Sequence, residues 1–277
     1  MSKTISRRRI FKWTAGCLAG VSVAAIQGCK GSSGSFFSFM SGDESDLFDA
    51  IQTKRYGAKW LTGGTASLQP SSYPKPFLEL AANRLCALTP KLTEGPCYST
   101  SPVRQDISGG QDGVPVRLYF QVVDIDCQPL SNVDVDIWHC DANGIYSGDG
   151  MRSERFCSGG NKEYVKHKWF RGIQPTNEQG TAYFETCFPG WYPGRAVHIH
   201  MTVTKNGRSY TTQVSFDDAL VKSITTQAPL YLERGTPDTS NDSDRIFPDS
   251  DDKTYEMETM QLEDGSIVAW KTLVVSV

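Results

Sequence analysis

Two histidines one residue apart, His198-Ile199-His200, are the first side chains in this chain whose types and spacing could do chemistry. On a β-strand, residues i and i+2 point to the same face, with backbones roughly 6.6 Å apart along the chain. Two imidazoles so placed can converge on one metal ion. The alternate positions Val197, Ile199 and Met201 are apolar and would anchor such a strand in a core. The competing reading is two polar residues on a solvated strand face. Upstream lies Tyr192, inside Pro189-Gly190-Trp191-Tyr192-Pro193-Gly194-Arg195. Pro/Gly pairs on both sides of two aromatics make a constrained turn, which fixes where the phenol points. A tyrosine there could simply pack at the corner of a sheet. As a phenolate it would suit a hard trivalent metal, because a phenol of pKa about 10 ionises at neutral pH only beside a strong positive charge.

The elements that must position these groups read as strands. Residues 116–122 are rich in strand formers, and residues 132–139 alternate, with Val133, Val135 and Ile137 on one face and Asp134, Asp136 and Trp138 on the other. Residues 197–203 alternate in the same way, followed by strand-like runs at 210–216 and 266–275. Strands at this spacing, separated by Gly, Asn and Pro turns, predict a mostly β protein built as a β-sandwich. The catalytic sandwich is expected over residues 88–277, preceded at 47–87 by an irregular N-terminal extension. Pro70, Pro74 and Pro76 break up that extension, leaving room for a short helix at about 77–82.

The chain has 277 residues, a net charge of −3 and a pI near 5.8, so it lacks the basic footprint of a nucleic-acid binder. Residues 1–29 are expected to form a signal peptide: Arg7-Arg8-Arg9 precedes an uncharged run too short and glycine-rich for a comfortable membrane span. The arginines with Phe11-Lys12 resemble a twin-arginine signal, and Ile26-Gln27-Gly28-Cys29 resembles a lipobox, with Cys29 the lipidated residue. Residues 30–46 read as a flexible Gly/Ser tether. The expected location is therefore the cell envelope, with membrane contact only through the lipid. Setting aside Cys17 and Cys29 leaves Cys86, Cys97, Cys127, Cys140, Cys157 and Cys187 as candidate disulfide cysteines, in a pairing that sequence cannot separate. None of the six is spaced C-x-x-C, which speaks against zinc. His139 is expected to be packed or hydrogen-bonded, and His167, between two lysines, to sit in a solvated loop. The acidic run 238–252 lacks the glycine and terminal glutamate of a calcium loop and reads either as a solvated loop or as the Asn-Asp loop of a larger motif set.

One segment carries a strong resemblance. Asp136-Ile137-Trp138-His139-Cys140-Asp141-Ala142-Asn143-Gly144-Ile145-Tyr146-Ser147-Gly148 resembles the W-x-x-D-x-x-G-x-Y segment of the intradiol ring-cleavage dioxygenases. Residues 170–174, 180–184 and the run PGWYPGRAVHIH follow in that family's order; Leu88-Thr89-Pro90 and Thr93-Glu94-Gly95-Pro96 precede them, and 212–216 and 241–247 come after. The resemblance, over about 86–275, implies a non-haem Fe(III) site with Tyr146 and Tyr192 as phenolates and His198 and His200 as imidazoles. It also implies O2-dependent cleavage of a small aromatic diol to a cis,cis-muconate-type diacid. Tyr192 would be the ligand released to take a substrate proton, with Arg195 and Gln213 beside the substrate ring. It implies no particular oligomeric state. Cys97 departs from the aromatic residue usual after Glu-Gly-Pro, and with Cys140, Cys157 and Cys187 it points to disulfides that brace the site loops. The alternative is an exported β-sandwich binding module with a vestigial metal site.

Overall fold

The strand-forming runs pair into two four-stranded sheets. The structure is a computed structural model in which residues 56–57, 59–69, 74–79, 86–247 and 253–277 are described. The expected signal peptide, Cys29 and the tether lie outside the described residues. The first sheet has the order β4 (Thr181–Cys187), β1 (Pro115–Val123), β8 (Ile267–Val274), β7 (Glu258–Gln261). The second runs β3 (Arg171–Pro175), β2 (Asp134–Trp138), β5 (His198–Lys205), β6 (Arg208–Ser215). Neighbours are antiparallel except β1 and β8, which are parallel.

The core lies between the sheets because every second residue of β1 and β5, and most inward positions of the other long strands, are apolar. Val116, Leu118, Phe120 and Val122 of β1 face Val135 and Ile137 of β2 and Ile199, Met201 and Val203 of β5 across one continuous buried cluster. Each such side chain contributes roughly 1.5–3 kcal/mol of transfer free energy. The β5–β6 hairpin turns through Asn206-Gly207, both with positive φ (50° and 76°), the backbone that tight hairpin turns demand. That turn sets a register in which His200 stands opposite Gln213. His200 also faces Trp138 on β2, and Trp138 faces Arg171 on β3. One transverse row of the second sheet therefore reads Arg171, Trp138, His200, Gln213.

This row projects from the face of the second sheet that points away from the core, yet all four residues are buried. Loops from 93–100, 140–170, 190–196 and 240–247 close over it. Strands β3, β4 and β7 were not singled out in the sequence, nor was helix α4 (Asp218–Gln227). That helix is capped by Asp217, whose carboxylate accepts from the Ala219 and Leu220 N–H groups, and it buries Leu220, Val221 and Ile224. The earlier short helices are α1 (Pro76–Glu79), which overlaps the stretch expected to be helical, α2 (Glu154–Cys157) and α3 (Lys162–Val165). None of the described helices is long and apolar enough to cross a membrane.

Part of the irregular stretch ahead of residue 88 is built into the sandwich. Trp60 is buried in the main core, the Leu61 N–H donates to the Gly265 carbonyl at 3.0 Å, and the Gly64 N–H donates to Gly113 at 3.1 Å. Truncating Trp60 removes a large buried ring and leaves a cavity. The Trp60→Ala variant should lose about 3 kcal/mol of unfolding free energy in a urea titration. An unchanged midpoint would show that this segment contributes nothing to the core.

Candidate metal centre

The four side chains expected to act as ligands arrive from three places. His198 and His200 sit at the start of β5 on the outer face of the sheet, with Val197, Ile199 and Met201 pinned in the core behind them. Tyr192 comes from the Pro/Gly turn just before that strand. Tyr146 comes from the loop after β2, where its N–H donates to the Cys157 carbonyl at 2.8 Å. Their rings close on one another: Tyr146 and Tyr192 have centroids 5.9 Å apart, Tyr146 and His200 6.1 Å, Tyr192 and His198 5.4 Å, and His198 and His200 4.7 Å. The facing atoms are close as well. His198 Nε2 lies 3.1 Å from His200 Nε2 and 2.9 Å from Tyr192 Oη.

The chemistry of this donor set can be read from its hydrogen bonds. His198 Nδ1 lies 2.6 Å from the Ala196 carbonyl, which can only accept, so Nδ1 carries the proton and Nε2 presents its lone pair to the cluster. Burial, reinforced for His198 by the nearby Arg195 guanidinium, holds its pKa down at about 3 and that of His200 well below the usual imidazole value. Both rings are thus neutral at pH 7. Burial pushes the Tyr192 phenol up to about 12, opposed in part by Arg195, and raises Tyr146 well above 10. Tyr146 Oη is fully buried with no hydrogen-bond partner of acceptable geometry, a costly arrangement for a polar atom unless a ligand meets it. Two neutral nitrogens and two phenol oxygens, one of them orphaned, fit a hard trivalent cation such as Fe(III). Among the described residues, no group of three or more His, Cys, Asp or Glu side chains is placed to hold a metal.

Around the four rings stands a shell that locks their orientation. Trp138 stacks on His200 at 5.3 Å with planes 6° apart, and Tyr98 meets Trp138 edge-on at 4.8 Å. Arg171, fully buried, donates from Nε to the Ser147 carbonyl and from a terminal nitrogen to the Cys97 carbonyl, each at 2.7 Å. It thereby ties the loop of Tyr146 to residues 93–97. The Cys97–Cys157 disulfide makes a second tie between the same segments. Gly95 passes over His200 with φ +75°.

Arg195 reaches into the centre, its NH1 lying 3.3 Å from His198 Nε2 and 3.4 Å from Tyr192 Oη. Gln213 does not face open space. Its Oε1 accepts from Arg195 NH2 at 2.6 Å and its Nε2 donates to the Thr93 carbonyl at 2.7 Å, so it holds Arg195 rather than lining the cavity wall. Tyr192, Arg195 and His200 open onto a cavity of about 630 Å³ whose other walls include Pro96, Arg152, Phe156, Pro193 and Ile246.

A family model described as "Dioxygenase" matches residues 88–229, and solved intradiol dioxygenases share the fold. The chain belongs to the intradiol ring-cleavage dioxygenase family. A solved member from Tetranychus urticae is 28% identical, with a TM-score of 0.60, covering 69% of this chain and 95% of that one. The dioxygenase domain of a dioxygenase–carbohydrate-binding protein fusion from Streptomyces sp. SirexAA-E is 26% identical, with a TM-score of 0.50, covering 69% and 99%. Catechol 1,2-dioxygenase from Acinetobacter baylyi is 26% identical over 152 residues, 46% of each chain. The chain thus spans about half the length of the curated relatives it matches.

Within this intradiol fold some expectations need correcting. Cys86–Cys127 and Cys97–Cys157 are disulfides, but Cys140 and Cys187 are free buried thiols, bonded through Sγ to the Gly190 and Gln111 carbonyls. Neither therefore braces a loop. Of the two readings of the acidic run, a solvated loop does not describe all of it: Asp244 is buried against Arg195, and Asn241 is buried with its amide on the Phe216 carbonyl. His139 is buried between the Cys140 carbonyl and Thr186 Oγ1, and His167 pairs with Glu163 at the surface while stacking on Trp169. Sequence reasoning missed Trp138, Arg171 and Asp244 as parts of the site. The first two could have been found only by laying β3, β2 and β5 side by side.

A Cβ added at Gly95 would lie 3.0 Å from His200 Cε1, at a backbone angle that L residues rarely adopt. Gly95→Ala should cost about 1–2 kcal/mol in backbone strain and displace the imidazole. Elemental analysis after iron-supplemented expression should find less iron per chain than in the wild type. Full iron loading in this variant would mean that His200 is not a ligand.

Proposed function

We propose that this chain is an Fe(III)-dependent oxygenase that cleaves a catechol-type aromatic between its two hydroxylated carbons, incorporating both atoms of O2 to give a cis,cis-muconate-type diacid. The observation that carries this reading is the convergence of Tyr146, Tyr192, His198 and His200 beside an open cavity that also holds Arg195. Those four side chains would hold the iron. Bound there, ferric iron supplies a Lewis acid that draws electron density from a chelated catechol and makes its ring reactive toward O2.

The remaining work belongs to the protein. Tyr192 is the half-buried member of the pair and the one that lines the cavity, so its Oη, ionised when the metal is bound, would be placed to accept a proton as a substrate hydroxyl enters. Arg195 holds a fixed positive charge over the same space, where it stabilises negative charge that builds up on the ring. Pro96, Phe156, Pro193 and Ile246 give the cavity an apolar wall that seats the ring and limits water. A volume of about 630 Å³ leaves room for ring substituents, which fits environmental aromatics. Export to the cell envelope through the twin-arginine-like leader and Cys29 is part of the same proposal. Two disulfides among the described cysteines support it, since such bonds persist in oxidising compartments.

Protein expressed with iron should be red-brown from phenolate-to-iron charge transfer. Tyr146→Phe and Tyr192→Phe should each weaken or shift the visible band and reduce oxygen uptake with catechols by at least tenfold. Colourless, iron-free protein after iron-supplemented expression would sink the proposal. Oxygen uptake across a panel of substituted catechols would identify the substrate.

A further inference from the structure

We infer that Asp244 is a positioning residue for the reaction, the group through which the 238–246 loop fixes Arg195. This rests on the proposed function. The loop grips the turn that carries Tyr192 and Arg195 at two points. Asp238 Oδ1 accepts from the Gly194 N–H at 3.0 Å, and Asp244, its side chain fully buried, takes everything else.

Asp244 accepts from Arg195 Nε at 2.9 and 3.2 Å, from the Ala196 N–H at 2.8 Å and from the Ile246 N–H at 2.8 Å. These three donors converge on one side chain, and only an acceptor-only group can satisfy them all. An amide would have to turn an N–H toward at least one N–H of the backbone.

The consequences run in three directions. First, Arg195 NH1 and NH2 are left to point at His198, Tyr192 and Gln213, because its Nε edge is already occupied. Second, the same Ala196 whose N–H is held by Asp244 offers its carbonyl to His198 Nδ1 at 2.6 Å, which keeps the His198 Nε2 lone pair free for the donor cluster. Third, the Ile246 backbone is drawn in, placing its side chain in the cavity wall. The loop itself is anchored independently by Asn241, whose amide donates to the Phe216 carbonyl at 2.8 Å. A single carboxylate thus couples an outer loop to the cation, a histidine and the wall of one cavity.

The test compares Asp244→Asn with Arg195→Gln and the double variant, and adds Asp244→Glu, which keeps the charge but lengthens the arm should the amide variant not fold. Two readouts are needed. In iron-free protein, guanidinium nitrogen–proton NMR should show the Arg195 Nε–H protected from solvent exchange in the wild type. Exchange should be at least tenfold faster in either Asp244 variant. In iron-loaded protein, Asp244→Asn should keep its iron content and visible band while kcat on catechol falls ten- to a hundredfold. The double variant should be no worse than Arg195→Gln, since both changes remove the same function. Additive losses, or unchanged Nε–H protection, would overturn the inference. So would a fall in iron content proportional to the fall in kcat, which would reduce Asp244 to a structural role. If wild-type protein oxidises no catechol, the proposed function fails, and the exchange measurement still decides whether Asp244 fixes Arg195.

Discussion

The structure depends on keeping dry the outward face of a β-sheet that carries polar groups. In a two-sheet sandwich the core needs only one face of each sheet, and the other is ordinarily left to water. Here the outward row Arg171, Trp138, His200 and Gln213 is buried to the last residue. A buried polar group must find partners or it destabilises the fold. Each covering loop therefore brings a partner. Residues 93–97 supply carbonyls for Gln213 and Arg171, the loop after β2 supplies Tyr146 and the Ser147 carbonyl, and 238–246 supplies Asp244. The site is what remains where these loops meet without quite filling the space.

That arrangement puts demands on loops that are long and far apart in sequence. Cys97 and Cys157 are separated by 60 residues, and closing a loop of that length in the unfolded chain is entropically worth about 4 kcal/mol in the loop-closure picture. Arg171 runs almost alongside this disulfide, tying the Ser147 and Cys97 carbonyls together through one guanidinium. Covalent and charge-assisted ties thus act on the same pair of segments, one from the unfolded side and one from the folded. Cys140 and Cys187, by contrast, sit in packed surroundings where a small buried thiol suffices.

What could be read in the sequence follows how local the signals are. The alternation around His198 and His200, the Pro/Gly turn holding Tyr192 and the strands β1, β2, β5, β6 and β8 were legible because their causes lie within a few residues. Tyr146 was visible only through the motif that contains it, since nothing in its own neighbourhood points to a metal. Trp138, Arg171 and Gln213 become neighbours of His200 through strand register, which no single segment encodes. Asp244 was obscured for another reason. Runs of like charge are usually solvated, and one carboxylate in the run was needed by an arginine 49 residues away. The cysteine count likewise said nothing about which two would remain free.

The ionisation states of the donor set explain how such a site can be closed at all. Left to the protein alone, the two imidazoles are neutral and the two phenols protonated, so the ligands themselves bring no net charge into the interior. Carboxylates or thiolates buried to the same degree would either carry charge out of water or have to shift their pKa strongly. Neutral donors cost only unmet hydrogen bonds, and the set is short of two, at Tyr146 Oη and at His200 Nδ1. A trivalent cation bound there would supply what the Tyr146 oxygen lacks and would make ionisation of the phenols favourable in the same event. Because it would bind the folded arrangement and not the unfolded chain, its affinity would add to stability. A fold of this kind can assemble around neutral donors before any cation enters, with the shell of Trp138, Arg171 and Asp244 already in place.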